Sequence, residues 1–143
     1  MRYRQATDEG IRVTIVSRLH EAYNRRDRDA LLALLTDDVV WHVPGTSSNA
    51  GTFVGHDGVW KGVFGPMWPT PARVVARDVV EHEDQLVALV EWRHNFGDGE
   101  QAWTGVEVLR LVDGLVAERH EHMSRQAELD VLFERGCAAV QEP

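Results

Sequence analysis

The chain has 143 residues, 43% of them hydrophobic and 27% charged, with 23 acidic against 15 basic side chains and a formal net charge of -8. That is the size of one ordinary domain around one core, so a single domain over residues 1–143 is expected. The acidic balance, without any run of lysine or arginine to neutralise phosphates, excludes the usual nucleic-acid binders.

The single cysteine, Cys137, leaves no intrachain disulfide to form. No apolar run reaches membrane-spanning length, and Met1-Arg2-Tyr3-Arg4 does not lead into a signal-peptide core. A cytoplasmic location away from membranes is therefore expected.

Over residues 7–26, Ile11, Ile15, Leu19 and Tyr23 recur every four positions, which predicts an amphipathic helix capped by Thr7 or Asp8. Asp27 suits the cap of a second, shorter helix through Ala30, Leu31, Leu34 and Leu35, ending near Thr36. Residues 39–43 are β-branched and aromatic and predict a strand, stopped by Pro44-Gly45 and followed by a loop to Gly55. Val59, Trp60, Val63, Phe64 and Met67 have helical spacing, although Gly58, Gly62 and Gly65 weaken that third helix. Alternation then predicts strands over 73–81, 86–96, 101–112 and 115–123. Gly97-Asp98-Gly99 and Asp113-Gly114 supply hairpin turns, and Ser124 caps a final short helix through Leu129, Leu132 and Phe133.

Helices followed by an antiparallel meander give an α+β arrangement, with the helices covering one sheet face. Val106 and Val108 fall on the face opposite Glu107 and Leu109, so an apolar face is left over that a second copy could cover, and a homodimer is expected.

The run Glu21-Ala22-Tyr23-Asn24 with Asp27, then Ala30-Leu31-Leu32, resembles the N-terminal half of SnoaL-like proteins. So do Thr36-Asp37-Asp38-Val39-Val40-Trp41-His42-Val43-Pro44-Gly45, Ala50-Gly51-Thr52-Phe53 and Gly55-His56. Residues 106–111 with Asp113-Gly114 and Glu118 resemble that family's closing hairpin, so the likeness covers essentially the whole chain. It implies the wider fold of nuclear transport factor 2, ketosteroid isomerase, limonene epoxide hydrolase and scytalone dehydratase: a cone-shaped α+β barrel, three N-terminal helices packed on a curved, mostly antiparallel sheet. This scaffold hosts many reactions. At the positions of the isomerase base, tyrosine and second aspartate stand Val43, Leu19 and Glu107. Of the Asp-Arg-Asp set of the epoxide hydrolases, only the arginine has a counterpart, Arg93, with Asn95 beside it. The histidine and aspartate of the polyketide cyclases correspond to Glu107 and Glu121.

Alternation bears on the same positions without the family. Trp103, Gly105, Glu107, Leu109 and Leu111 share one side of their strand, so Glu107 is a carboxylate in apolar company. Glu91, Arg93 and Asn95 share one side of the strand before, and Arg119, Glu121 and Met123 one side of the strand after. Such groups can meet across antiparallel neighbours. The expected site is a patch of Glu107, Glu121, Arg93 and Arg119 inside an apolar cone lined by Leu19, Tyr23, Trp41, Val43, Trp60, Phe64, Trp103 and Met123, with Asn95 at its edge. The arginines would keep one carboxylate ionised and give the two glutamates different pKa values and roles. The plainer reading of the same residues is a set of cross-strand salt bridges on a solvated or subunit-facing surface.

His42 joins the candidates because its signature run is the strongest in the chain, although alternation sets it opposite Trp41 and Val43 unless a bulge precedes Pro44. His120, His122 and His94 form no patterned ligand set, so no metal is expected. The chain has no glycine-rich nucleotide loop and no nucleophile elbow, so no cofactor is expected either. The reading is a cofactor-independent lyase or isomerase acting on a small apolar carbonyl compound, polyketide-like or steroid-like. A non-catalytic ligand-binding or dimerising domain and an epoxide hydrolase-like enzyme are the alternatives.

Overall fold

The computed structural model describes the backbone of residues 2–5, 15–95, 97 and 99–141, and the side chains of residues 15–134 within those ranges. In chain order come β1 (Arg2–Gln5), α1 (Ile15–Asn24), α2 (Arg28–Ala33), β2 (Leu35–Val43), β3 (Gly51–Val54) and α3 (Gly55–Val59). A π-helical turn (Trp60–Phe64) and α4 (Gly65–Met67) follow, then β4 (Arg73–His82), β5 (Gln85–Asn95), β6 (Glu100–Val112), β7 (Leu115–Met123) and α5 (Gln126–Gln141). The strands form one sheet in the order β1-β4-β5-β6-β7-β2-β3. Every pairing is antiparallel except β2 with β7. The α+β cone is the one expected, with the helices against its concave face.

The first helix is described from Ile15; Thr7, Asp8 and Ile11 lie outside the described residues. Val16, Leu19, His20 and Tyr23 form its buried face. Its end is a Schellman motif in which Arg26, at φ 57, occupies the left-handed position usually given to glycine: Asp27 N–H bonds Ala22 O and Arg26 N–H bonds Tyr23 O, both at 2.9 Å. Asp27 then accepts from Ala30 N–H at 3.1 Å and caps α2. Asn24 docks this corner on β4 like a strand peptide, donating to Val74 O at 2.7 Å and accepting from Val74 N–H at 2.9 Å.

Three expectations change. The second helix stops at Ala33 rather than near Thr36, because Leu34 O accepts from Val116 N–H and the chain passes directly into pairing with β7. The loop expected over 44–55 contains β3, a four-residue strand paired with β2 and hidden among glycine, proline and serine. Ser124 does not cap α5; it closes the β6–β7 ladder, its N–H bonding Thr104 O at 2.8 Å. The backbone strand β1, paired with β4, was not expected at all.

The third helix is continuous from 55 to 67, and its glycines have a packing reason. A Cβ on Gly62 would strike the Phe53 ring, so β3 lies directly on the helix backbone. Asp113 and Gly114, at φ 52 and 79, form the two-residue turn of the β6–β7 hairpin. In the other hairpin Asp98 lies outside the described residues, as does the side chain of Cys137. Among the described residues no helix is long and apolar enough to cross a membrane.

Candidate acid–base site in the cone

The concave face carries a cavity with about 750 Å³ of space between its atoms, mouth included. Its wall is overwhelmingly apolar and aromatic, and Leu129 and Phe133 of α5 belong to it. Into this wall β6 and β7 project the polar cluster. Glu107 and Glu121 are register partners on the two strands, and Leu109 faces Arg119 two pairs further along. Period-two alternation puts all four side chains on one face.

Glu107 is 2% exposed and Arg119 3% exposed. Arg119 Nε donates to Glu107 Oε2 at 2.9 Å, and its Nη2 lies 2.5 Å from Glu121 Oε2. The guanidinium also donates to His42 O at 3.1 Å and sits 4.7 Å from the centre of the Trp41 ring. Trp92 Nε1 donates to Glu121 Oε2 at 2.8 Å. On the other side of Glu107, His20 Nε2 approaches Oε1 at 2.6 Å. One arginine thus bridges two buried carboxylates, each of which has a second partner of its own.

The two carboxyls are driven apart. Burial alone would raise Glu107, but the charge of Arg119, then that of His20, and the hydrogen bonds from both outweigh it and bring its pKa down to about 2. Glu121 is raised from its ordinary value: burial dominates, Arg119 opposes it, and the negative charge of Glu107 adds to the rise. Burial also pushes His94 down to about 4, with a backbone hydrogen bond to Asn95 opposing and the charge of Arg26 assisting, so a neutral imidazole faces the cavity.

Of the expected residues, Glu107, Glu121, Arg119, Leu19, Tyr23, Trp41, Val43, Phe64, Trp103 and Met123 all line the cavity. Four do not. Arg93 lies on the convex face, half exposed, bound to Glu91 at 2.6 Å. Asn95 is exposed and accepts from Gly97 N–H at 2.8 Å. Trp60 packs edge-on against Trp68 outside the cavity, with Arg28 4.4 Å from the centre of its ring. His42 follows its alternation to the convex face, where it bonds Thr52 at 3.0 Å and Glu118 at 2.8 Å and stacks on His120. His94 faces inward and His120 outward, so the histidine set considered for a metal does not assemble.

His20, Trp92 and His94 are the site residues that the sequence reading missed. A helical face is wide enough to include Val16 and His20 beside the Ile15-Leu19-Tyr23 stripe. On β5 the set Leu86, Ala88, Val90 and Trp92 is uniformly apolar, which marks it, with His94, as the inward one.

A curved, mostly antiparallel sheet wrapped on helices around an apolar cavity is the nuclear transport factor 2-like fold. Within it the chain belongs to the SnoaL-like domain family, whose model matches residues 16–119. It is similar to an NTF2-like protein of unknown function from Burkholderia pseudomallei, at 26% identity over 83% of this chain and 94% of that one, with a TM-score of 0.74. A Kribbella flavida protein assigned to the ketosteroid isomerases shares the fold at 20% identity, over 78% and 76% of the chains and with a TM-score of 0.63. One from Sinorhizobium meliloti assigned to the polyketide cyclases does so at 16%, over 76% and 93%, with a TM-score of 0.62. None of the curated proteins matches the chain in sequence.

Proposed function

We propose that this protein is a cofactor-independent lyase or isomerase that moves a proton on a small, neutral, apolar carbonyl compound of polyketide-like or steroid-like type. The observation that supports this reading is the Glu107–Arg119–Glu121 bridge, two carboxyls in register inside an apolar cavity with their pKa values displaced in opposite directions. Glu121, with its raised pKa, is the group suited to take a proton from carbon and return it. Glu107 stays ionised and fixes Arg119. Tyr23 and His20 line the helical side of the cavity, the side on which an enolate oxygen would be steadied. The epoxide hydrolase alternative loses its support, since Arg93 and Asn95 both lie outside the cavity.

A second reading is favoured by one observation: the chain His20–Glu107–Arg119–Glu121–Trp92 is closed by internal hydrogen bonds, as a structural network in a ligand-binding domain would be. The two readings separate by proton NMR in deuterium oxide with 2-tetralone as the probe. The enzyme exchanges its α-protons faster than buffer does, and Glu121→Gln slows this by about 100-fold or more, the usual scale of a lost acid–base group. Binding without exchange would leave only the binding domain, and exchange unchanged in Glu121→Gln would overturn the role given to Glu121.

A further inference from the structure

A second chamber adjoins the first, with about 320 Å³ of space including its opening, between the 43–49 segment, Met67 and α5. Glu121 and Met123 belong to the walls of both chambers, so the second one lies against the acid–base cluster. Its own side is polar: Ser47, Asn49 and Gln126. Two polar atoms of these lining residues, Asn49 Nδ2 and Gln126 Oε1, are shut off from solvent and have no hydrogen-bond partner among the described residues.

Orphaned buried polar atoms are uncommon because each forfeits its hydration. The orientation of Gln126 is set by its other end, since Nε2 donates to Asp130 Oδ1 at 3.0 Å and the amide oxygen must then face away. Asp130 is itself held by the Thr46 N–H and hydroxyl, at 3.1 and 3.2 Å, so the frame around the chamber is fixed. One orphan is a donor and the other an acceptor. The carboxyls of Glu121 and Asp130 nearby disfavour an anion.

We infer that this chamber is a specificity subsite for a neutral hydroxyl of the substrate, which accepts from Asn49 and donates to Gln126 while the apolar body fills the cone and the carbonyl reaches the Glu121 cluster. The inference rests on the acid–base reading of the cavity and narrows its substrate class to hydroxylated ketones.

The test compares 2-tetralone with 6-hydroxy- and 7-hydroxy-2-tetralone, with affinities measured by NMR titration for the wild type, Asn49→Ala, Gln126→Met and Glu121→Gln. One well-made neutral hydrogen bond corresponds to roughly a fivefold to tenfold gain. The wild type is expected to bind one of the hydroxylated probes more tightly than 2-tetralone by that factor. Asn49→Ala and Gln126→Met are each expected to bring the ratio of hydroxylated-probe affinity to 2-tetralone affinity down to about one, and Glu121→Gln to keep that ratio at its wild-type value. A wild type indifferent to the hydroxyl, or a gain that survives both substitutions, overturns the subsite and leaves the acid–base reading intact. Binding of none of the three probes overturns both.

Discussion

The substitution Glu107→Gln tests the electrostatics of the cone most directly, because it keeps the shape and removes one charge. The fall of the Glu107 pKa from 4.5 to about 2 corresponds, at about 1.4 kcal/mol per pH unit, to about 3 kcal/mol of folding stability at neutral pH. That agrees in scale with the roughly 3–5 kcal/mol lost when one partner of a buried ion pair is removed. A carboxyl whose pKa is depressed in the folded state contributes fully above its unfolded value and loses that contribution as pH falls toward the folded one. The wild type should therefore exceed Glu107→Gln by about 3 kcal/mol near pH 7 and by less than about half of that near pH 3. Urea unfolding at a series of pH values measures both. A gap that does not narrow on acidification, or a variant as stable as the wild type at neutral pH, would refute the claim that Glu107 is ionised inside the cone. The same variant should lower the Glu121 pKa, since the charge of Glu107 is one cause of its rise and Arg119 is no longer shared.

Two further outcomes follow from packing. Gly45 sits at φ 98, and a Cβ there would strike the Asp130 carboxylate that ties the 45–46 turn to α5, so Gly45→Ala should destabilise by more than about 1 kcal/mol. Thermal melts check this, and hydrogen exchange should show the loss concentrated in α5; an unchanged melt would mean that the contact is dispensable. On the convex face, Leu89 and Val75 are 46% and 39% exposed beside Val106 and Val108, and a two-fold dimer through this face is the expectation. Light scattering should find a dimer that Leu89→Lys dissociates, and a wild type monomeric at all concentrations would refute it.

Alternation tells which residues share a face of a strand, but not which face is inside. On β6 and β7 the apolar company of Glu107 settles the choice, and the family resemblance points to the same pair. On β5 the charges of Glu91 and Arg93 drew attention to the wrong side. Glu91 pairs across to Arg77 on β4, a convex-face contact at 2.6 Å beside the register shift between Ala76 and Asp78, which local pattern does not reveal. Strand β3 was illegible because four residues among turn formers have no periodicity to read; its pairing is specified by β2 and by the Gly62 contact of Phe53. The parallel β2–β7 pairing was hidden for the same kind of reason, being a long-range choice that local pattern cannot encode.

That parallel pairing is nevertheless what completes the site. Trp41 is the register partner of Arg119, so its ring covers the guanidinium and the neighbouring His42 carbonyl takes one of its N–H groups. A slip of one residue in β7 would send Arg119 and Glu121 to the convex face together. With register fixed, Arg119 has one positive charge to divide between two carboxylates in an apolar enclosure. When Glu121 accepts a proton, the repulsion between the carboxylates vanishes and Arg119 remains paired with Glu107. Burial and the neighbour's charge therefore both favour proton uptake at Glu121, with Arg119 opposing them, whereas in a solvated salt bridge the arginine alone would set the direction.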